Sequence, residues 1–287
     1  MRYTLTHNGQ LSSLGKRIMA EPTSTRGKTH IDEQFWVFLE SLCIHHSSHL
    51  NSIHGDELDL KRWNSIAASH TCHRQLPELH ELSLEFRKVR HEKDETPQLA
   101  EMIAQAGSLR KLRLSFDVLT AGKPGFDVHL PDVIGQGLHL RFLGNLSLMG
   151  VRTTEAFLRE LMQKLSGTLS SLELEEISFE TADSEWADPE MVELECNWSW
   201  IHFLSFLADN MSLKHAKFDG ELSSGQEQWE VGHDGTEGAQ SSNHDCLKCR
   251  IERYVTHQGP NPFPANMKYF EQDYSWHSYS YDDSIYD

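Results

Sequence analysis

The clearest pattern of apolar positions lies between Thr153 and Phe179. Its first half carries apolar residues at helical spacing, namely Phe157, Leu158, Leu161, Met162 and Leu165. Its second half carries them at strand spacing, namely Leu169, Leu172, Leu174 and Ile177. We predict a helix with Thr153 as its N-cap and Gly167 just past its end, followed by a strand. One helix and one strand cannot bury both apolar faces alone, so the unit predicts neighbours of the same kind.

The strand half of this unit has the order L-x-x-L-x-L, which recurs along the chain. Its second apolar position falls at residues 82, 112, 146, 172 and 216, so the steps are 30, 34, 26 and 44 residues. This order is the strand signature of leucine-rich repeats, whose regular period is roughly 20 to 29 residues. We predict an α/β fold: an irregular leucine-rich-repeat-like solenoid with a curved, mostly parallel sheet and helices on its convex side.

Helical signals separate the predicted strands. Thr96 and Pro97 predict a helix start, because proline suits the first helical position, and Gly107 predicts its end. Ahead of the first repeat, residues Ile31–Cys43 have helical spacing and are followed by a His-rich turn and an apolar segment, Leu58–Ile66. These two segments predict the first solenoid turn or its cap.

Composition divides the chain into five parts. Polar residues predict a flexible leader over 1–30, and the solenoid spans 31–222 with an acidic insertion at 180–196. A polar Gly-rich loop follows at 223–243, then a C-terminal helix with a Gly and Pro stop at 244–264, and an acidic aromatic tail at 265–287. The tail has no helical or strand period, so it is either disordered or docked along another surface as an edge.

The charge of the chain restricts the class of partner. The formal net charge is -17 at pH 7. Such a chain does not concentrate the Lys and Arg that nucleic acid and anionic membranes require, so we predict neither as a partner. Between Lys164 and Lys214 there are many acidic residues but no Lys or Arg. This stretch is either a solvated surface insertion or an acidic docking face.

The cellular location follows from what the chain lacks. Its N-terminal residues do not contain the apolar core of about 7 residues that a signal peptide needs, and no later apolar run is long enough to span a bilayer. The five cysteines stand at unrelated spacings and do not indicate a disulfide framework. Reduced thiols are typical of the cell interior. We predict an intracellular protein, cytoplasmic or nuclear.

Two local motifs resemble sites for a nucleotide and for a metal. Gly9–Arg17 resembles a phosphate loop, but five residues separate its glycines instead of four, its last residue lacks a hydroxyl, and no predicted strand precedes it. Cys246 and Cys249, with His244 and His233 nearby, have the spacing of half a zinc site, but a second ligand pair is lacking. The alternative is two small residues on a terminal helix. We predict no metal and no cofactor.

Histidines and one cysteine form two groups within the first 73 residues. One group is His45, His46, His49 and His54, and the other is His70, Cys72 and His73. They could supply metal ligands or a catalytic cysteine and histidine pair, but nothing indicates an orienting acid or an oxyanion donor. The sequence contains no H-E-x-x-H, G-x-S-x-G or dinucleotide-binding glycine motif. We predict that the protein is not an enzyme, whereas an enzyme would require these side chains to converge in one pocket.

Four segments together resemble a family of proteins, and they are WSWIHFLSFLADNMSLKHAKFDGEL, IERYVTHQGPNPFP, LRKLRLSF and LSSLELEEISF. The chain from about Ile31 to Pro264 resembles the filamentous-fungal F-box and leucine-rich-repeat-like proteins. The resemblance implies a substrate receptor of a cullin-type ubiquitin ligase, in which an N-terminal F-box binds the adaptor and the repeats bind the target. Residues 1–30 lack the leucine and proline opening and the two short apolar helices of an F-box. We therefore expect either a truncated gene model or a repeat-only relative, for which adaptor binding is not implied.

The alternation within the predicted strands selects a candidate binding surface. The leucines point into the solenoid, so the residues between them face its concave side. The concave-face residues are Glu81, Ser83, Glu85, Lys111, Arg113, Ser115, Asn145, Ser147, Met149, Ser171, Glu173, Glu175, His215, Lys217 and Asp219. Concave solenoid faces are extended binding surfaces, so we predict that a protein partner docks here. The alternative is that Glu81 and Lys111 only pair across neighbouring strands.

The sequence thus predicts a protein-protein interaction module that resembles the substrate-recognition repeats of a fungal F-box protein. A repeat-only scaffold unrelated to ubiquitin is the first alternative, and an enzyme that uses the histidine and cysteine groups is the second. The identity of the partner does not follow from these residues.

Overall fold

The structure is a computed structural model that describes residues 3–7, 10–11, 51–58, 78–86, 97–116, 128–135, 140–180, 199–224, 227–231 and 247–263. Its strands are β1 (Tyr3–His7), β2 (Gln10–Leu11), β3 (Ser52–Leu58), β4 (Glu81–Phe86), β5 (Lys111–Phe116), β6 (Asn145–Thr153), β7 (Ser171–Phe179), β8 (His215–Ser224) and β9 (Glu227–Val231). Its helices are α1 (Pro97–Gln105), α2 (Leu130–Ile134), α3 (Glu155–Leu165), α4 (Ser199–Asn210) and α5 (Leu247–Val255). No helix within these ranges is long and apolar enough to cross a membrane.

The described strands form one sheet in the order β2-β1-β3-β4-β5-β6-β7-β8-β9. The six strands from β3 to β8 are all parallel, and each pairs with the strand that follows it along the chain. Helices lie between successive strands from β4 to β8. Crossover connections between parallel strands have the same handedness, and here each one leads to the next strand in the same direction across the sheet. Such connections place their helices on the same side of a sheet, so the helices share one face. The predicted α/β class and mostly parallel sheet are confirmed.

A repeated backbone contact aligns the starts of the parallel strands. The carbonyl oxygen just before each strand accepts two N–H groups from the next strand's start, at 2.8 Å and 3.0 to 3.1 Å. The acceptors are Asn51, His80, Arg110, Gly144 and Ser170. The contact is the same whether the intervening connection is short or long. The sheet therefore remains in register although the steps between the strands are unequal.

The core lies between the leucine face of the sheet and the helices. The leucines of the L-x-x-L-x-L order are at most 3% exposed, which confirms their predicted inward position. The helices add buried side chains to the same cluster, among them Ile103, Val133, Met162 and Leu204. Each such side chain stabilises the fold by about 1.5 to 3 kcal/mol relative to an exposed position.

Aromatic rings fix α4 against the carboxyl ends of the last parallel strands. Phe179, at the end of β7, stacks on Trp200 with 4.2 Å between ring centroids. The indole Nε1–H of Trp200 donates to the carbonyl of Ser223 in β8 at 3.0 Å. Phe203 meets both rings edge to face. The polar atom of the largest buried side chain is thereby satisfied.

Three neighbouring strands, β6, β7 and β8, each contain a residue with a positive φ angle at the same level of the sheet. Gly150, Glu176 and Gly220 have φ values of 69°, 51° and 68°. In β6 and β7 the alternation shifts by one residue, because Val151 and Ile177 are buried after these positions. In β8 two residues, Gly220 and Glu221, lie opposite Glu176 alone, and Leu222 is again buried on the same side as Phe218. A Cβ on Gly220 would lie 2.7 Å from Cγ of Glu176, so glycine is required in β8 for both conformation and space.

The helix α5 covers the edge of β8 that β9 leaves unpaired. Glu252 accepts a hydrogen bond from the backbone N–H of Phe218 at 3.1 Å, and Ile251 and Val255 are buried beneath it. At the opposite end, β1 runs antiparallel to β3. Covering or pairing an edge strand prevents its free N–H and C=O groups from joining another sheet.

The structure corrects three details of the sequence prediction. The N-cap of α3 is Thr154, whose hydroxyl accepts from the N–H of Phe157 at 3.1 Å, whereas Thr153 ends β6. Residues 3–7 and 10–11, within the predicted flexible leader 1–30, form β1 and β2. Residues Ser52–Leu58, where a His-rich turn was predicted, form β3. Strand pairing decides these polar segments, and their composition does not reveal it.

Several predictions lie outside the described residues. They include the helix at Ile31–Cys43, most of the acidic insertion 180–196, most of the loop 223–243 and the tail 265–287.

Candidate functional site

The predicted binding residues lie on the face of the sheet opposite the leucines. Register places them in three rows across the strands. The first row is Ser52, Glu81, Lys111, Asn145, Ser171 and His215. The second is His54, Ser83, Arg113, Ser147, Glu173 and Lys217. The third is Glu85, Ser115, Met149, Glu175 and Asp219. We call these three rows the polar face.

The polar face is open to solvent to different degrees. Lys111, Arg113, His215 and Lys217 are exposed, and most other members are half-buried. Ser115 differs from the prediction because it is only 4% exposed. Its hydroxyl donates to Sδ of Met149 at 3.1 Å, so the two side chains cover each other. The face can therefore contact a partner through all three rows, except at the buried Ser115 and, in the first row, the buried Ser52.

Carboxylates on the polar face already have donors. The hydroxyl of Ser147 donates to Glu173 at 3.0 Å. Glu81 lies 3.5 Å from Nζ of Lys111 and 3.8 Å from Nε2 of His54. Because these groups are partly exposed, such pairs add only about 0 to 1 kcal/mol each to stability. The ammonium of Lys111 does, however, offset the charge of Glu81 locally.

Charges converge most tightly at the end of the third row. Asp219 lies 2.9 Å from Nζ of Lys248, a residue of α5 that is only 5% exposed, and 3.4 Å from Nζ of Lys217. Burial opposes the charge of Asp219, but the hydrogen bond from Lys248 and the charges of both lysines outweigh it and lower the pKa of the carboxyl. Burial likewise opposes the charge of Lys217, but Glu175 and Asp219 outweigh it and raise its pKa. This group joins α5 to the polar face.

Three basic side chains around β5, in contrast, have no acidic partner among the described residues. Arg113 is exposed between two serines of its row, Ser83 and Ser147. Arg110 and Arg141 are exposed at the starts of β5 and β6. Unlike Lys111, these three arginines make no side-chain hydrogen bond or ion pair within the described part of the chain. Among the described residues, therefore, no contact of these arginines has to break before they bind an anionic group.

One exposed apolar side chain follows Arg141 directly in the chain, ahead of β6. Phe142 is 60% exposed and is the exposed large hydrophobic residue among the described ranges. It stands two residues before Gly144, whose N–H donates to the carbonyl of Arg110 at 2.8 Å. The start of β5 and β6 thus combines an aromatic ring with positive charge, a composition enriched at binding surfaces.

Sequence reasoning missed three members of this region. His54 lies on β3, which lacks the L-x-x-L-x-L order, and Lys248 comes from a helix distant in the chain. No local signal identifies either. Phe142 was detectable in principle, because it breaks the apolar order between Leu140 and Leu143, both of which are buried.

The other predicted chemical groups are only partly within the described ranges. His54 lies on the polar face, whereas His45, His46, His49, His70, Cys72 and His73 lie outside the described residues. Cys249 lies on α5, and Cys246, His244 and His233 lie outside. In the part of the chain that the structure describes, no three His, Cys, Asp or Glu side chains are placed to hold a metal ion. The zinc and enzyme alternatives therefore remain untested predictions.

A second ionic cluster lies at the carboxyl ends of β6 and β7. Nε2 of His129 is 3.0 Å from Glu180, and its Nδ1 is 3.6 Å from Asp132. Arg152 holds the other oxygen of Glu180 at 2.6 Å. Nε2 of His129 is thus hydrogen-bonded to a carboxylate that also pairs with Arg152. The cluster connects the start of α2 to the ends of the two strands.

A comparison of the chain with family models, curated proteins and solved structures found no match. The class that the structure itself defines is an α/β protein with a six-stranded parallel sheet, one face apolar and covered by helices, the other polar.

Proposed function

We propose that the protein is an irregular leucine-rich-repeat-like solenoid that binds a protein partner on its polar face. The observation that carries this proposal is the register of β3 to β8, which aligns polar side chains in rows on the side away from the helices. Stacked repeats of one strand and one connection create an extended surface of this kind, and solenoid proteins use it for binding.

The hydrogen bonds that the carbonyl oxygen before each strand accepts support the interpretation of the fold as a solenoid. They recur at five successive strand starts, with connections that differ in length. The two sheet ends also fit this architecture. A terminal element such as α5 is needed because the last repeat has no neighbour to bury its edge.

The proposed function does not include chemistry. The sequence resemblance supports a role like that of the target-recognition repeats of fungal F-box proteins, and a scaffold unrelated to ubiquitin would use the same face. The two readings differ in one partner, the ligase adaptor. Both predict that binding depends on the polar face and not on the helical face.

The test compares two charge reversals in the full-length tagged chain, expressed in its own host with the proteasome inhibited. Arg113→Glu changes the polar face at an exposed residue whose side chain makes no hydrogen bond or ion pair with a described residue. Lys164→Glu is the matched control, since it changes the net charge equally but lies on α3, in an exposed pair with Glu160. Proteins recovered with each variant are quantified by mass spectrometry.

We expect Arg113→Glu to reduce specific partners by about tenfold, as for the loss of one charge-assisted contact of about 1.4 kcal/mol, and Lys164→Glu to leave them unchanged. Equal recovery of partner proteins with both variants would indicate that these partners do not bind the polar face at Arg113. Recovery of the adaptor and cullin would support the ligase reading, and stable partners without them would support the scaffold.

A further inference from the structure

We propose that the partner segment bound by the polar face is an α-helix that lies along β6. Its acidic side chains are on the side toward β5, and its basic side chains are on the side toward β7. This inference rests on the proposed function, because it states the chemistry of the partner for the same polar face.

The polar face carries opposite charges on the two neighbours of β6. In the register rows β5 contributes the bases Lys111 and Arg113, and β7 contributes the acids Glu173 and Glu175. The polar-face residues of β6 between them are uncharged, and they are Asn145, Ser147 and Met149. We call these seven residues the bipolar strip. Arg113 and Glu173 stand in the same row, so a positive and a negative side chain flank β6 directly.

The existing ion pairs of the bipolar strip lead away from β6. Lys111 pairs with Glu81 of β4 at 3.5 Å, and Glu175 pairs with Lys217 of β8 at 3.6 Å. Among the described residues no ion pair joins β5 to β7.

The two charges that face each other across β6 keep their capacity to bind. Arg113 is exposed and makes no ion pair with a described residue. Glu173 accepts from a neutral donor, the hydroxyl of Ser147, at 3.0 Å, and within the described ranges it is not among the acids at ion-pair distance from Lys217. A ligand of the strip therefore needs both an acid and a base.

The width of the strip matches a helix. Neighbouring strands are about 4.8 Å apart, so β5 and β7 are about 10 Å apart, and a helix with its side chains is about 10 to 12 Å wide. Asn145 and Ser147 are shorter than the charged side chains beside them, so small residues of a helix can approach β6 while its two sides reach β5 and β7. An extended segment presents only one line of side chains to a sheet.

The spacing along the strip also matches a helix. Lys111 and Arg113 are two residues apart on one strand, about 6.6 Å, as are Glu173 and Glu175. Residues i and i+4 of a helix are about 6 Å apart along its axis and lie on the same side. Two acids at this interval can meet both bases of β5, and two bases on the other side can meet both acids of β7.

The test measures how tightly three labelled synthetic peptides bind the purified full-length chain. The bipolar peptide is an alanine-rich helix of about 18 residues, with Glu at i, i+4, i+7 and i+11 and Lys two residues after each. The mixed peptide exchanges the second and fourth Glu with the Lys that follows, so that both sides carry both charges. The broken peptide is the bipolar peptide with a central proline, which interrupts the helix. Affinities are measured by fluorescence anisotropy at about 0.01 M salt, where charges interact over about 30 Å.

We expect the bipolar peptide to bind about tenfold more tightly than either of the others, as for one charge-assisted contact. The affinity of the mixed peptide is corrected for any difference in helix content, measured by circular dichroism. Equal binding of the bipolar and mixed peptides would overturn the charge arrangement, and equal binding of the bipolar and broken peptides would overturn the helix. No binding of the bipolar peptide at about 1 mM would overturn both.

Charge reversals on the two sides of the strip locate the binding. Arg113→Glu and Glu173→Lys should each weaken the bipolar peptide about tenfold. Glu173→Gln, which still accepts from Ser147, should give a smaller loss. The matched controls are Lys164→Glu and Glu160→Lys, an exposed pair on α3, and they should bind like the natural chain. A loss with only one of the two reversals would indicate a partner of a single charge and would contradict the proposal.

The outcomes separate this inference from the proposed function. If partner recovery from the host depends on Arg113 while the three peptides bind alike, the polar face binds partners and the bipolar helix is wrong. If the bipolar peptide requires both Arg113 and Glu173 but no recovered partner depends on Arg113, the helix site stands and the proposed function falls.

Discussion

Removing the charge of Asp219 is the most informative perturbation of the fold. Its carboxylate lies 2.9 Å from Nζ of Lys248, and the lysine is only 5% exposed. Asp219→Asn keeps the shape of the side chain but leaves the ammonium without its counter-charge. Because Lys248 belongs to α5, the change acts on the helix that covers the edge of β8.

The size of the effect follows from the geometry. A hydrogen bond to a charged group contributes about 1.5 to 3 kcal/mol, and losing the partner of a fully buried charge costs about 3 to 5 kcal/mol. Asp219 is 31% exposed, so solvent screens part of the interaction, and asparagine can still accept one hydrogen bond. We expect the free energy of unfolding to fall by about 2 kcal/mol at pH 7, measured by urea denaturation followed by circular dichroism.

The same substitution predicts a pH dependence with a definite sign. The two lysines hold the pKa of Asp219 below its ordinary value in the folded chain, against the effect of burial. A carboxyl with a lowered folded pKa contributes stability above its unfolded pKa of about 3.9 and loses that contribution as the pH falls through the folded pKa. The difference between the natural chain and Asp219→Asn should therefore be full at pH 7 and should shrink at pH values below about 4.

A double-mutant cycle tests the reasoning. Lys248→Met keeps an apolar stem and removes the charge that needs a partner. In that background Asp219→Asn should cost much less than in the natural chain. A loss below about 0.5 kcal/mol for Asp219→Asn alone, or equal losses with and without Lys248, would refute the assignment of this ion pair.

Two further substitutions test local conformation by urea denaturation. Thr154→Ala should lower the free energy of unfolding by about 1 kcal/mol, because it removes the acceptor for the N–H of Phe157, whereas Thr154→Ser should retain most of it; equal losses for both would disprove the cap. Gly220→Ala should cost at least about 1 kcal/mol, because φ is 68° and the new Cβ would lie 2.7 Å from Glu176. Gly107→Ala, which meets nothing within 4 Å, is its control, and the strain argument fails if the two behave alike.

The sequence predicted the repeating part of the fold because its signals are local. The order of Leu82, Leu84 and their equivalents indicates a strand with one buried face at each repeat, and the alternation assigns the residues between them to the other face. These inferences need no knowledge of distant contacts. The buried leucines and the six-stranded parallel sheet bear them out.

Only the tertiary structure decided which polar segments join the sheet and which charges meet. Residues Tyr3–His7 and Ser52–Leu58 are strands because they pair with neighbours, and Lys248 reaches Asp219 because α5 folds over an edge 29 residues earlier in the chain. Polar side chains carry no periodic signal for such contacts, since their energy depends on the partner and on burial. The local pattern of apolar residues thus determined the strands of the parallel sheet and their buried face. Long-range pairing and packing determined the sheet ends and the charge arrangement of the polar face.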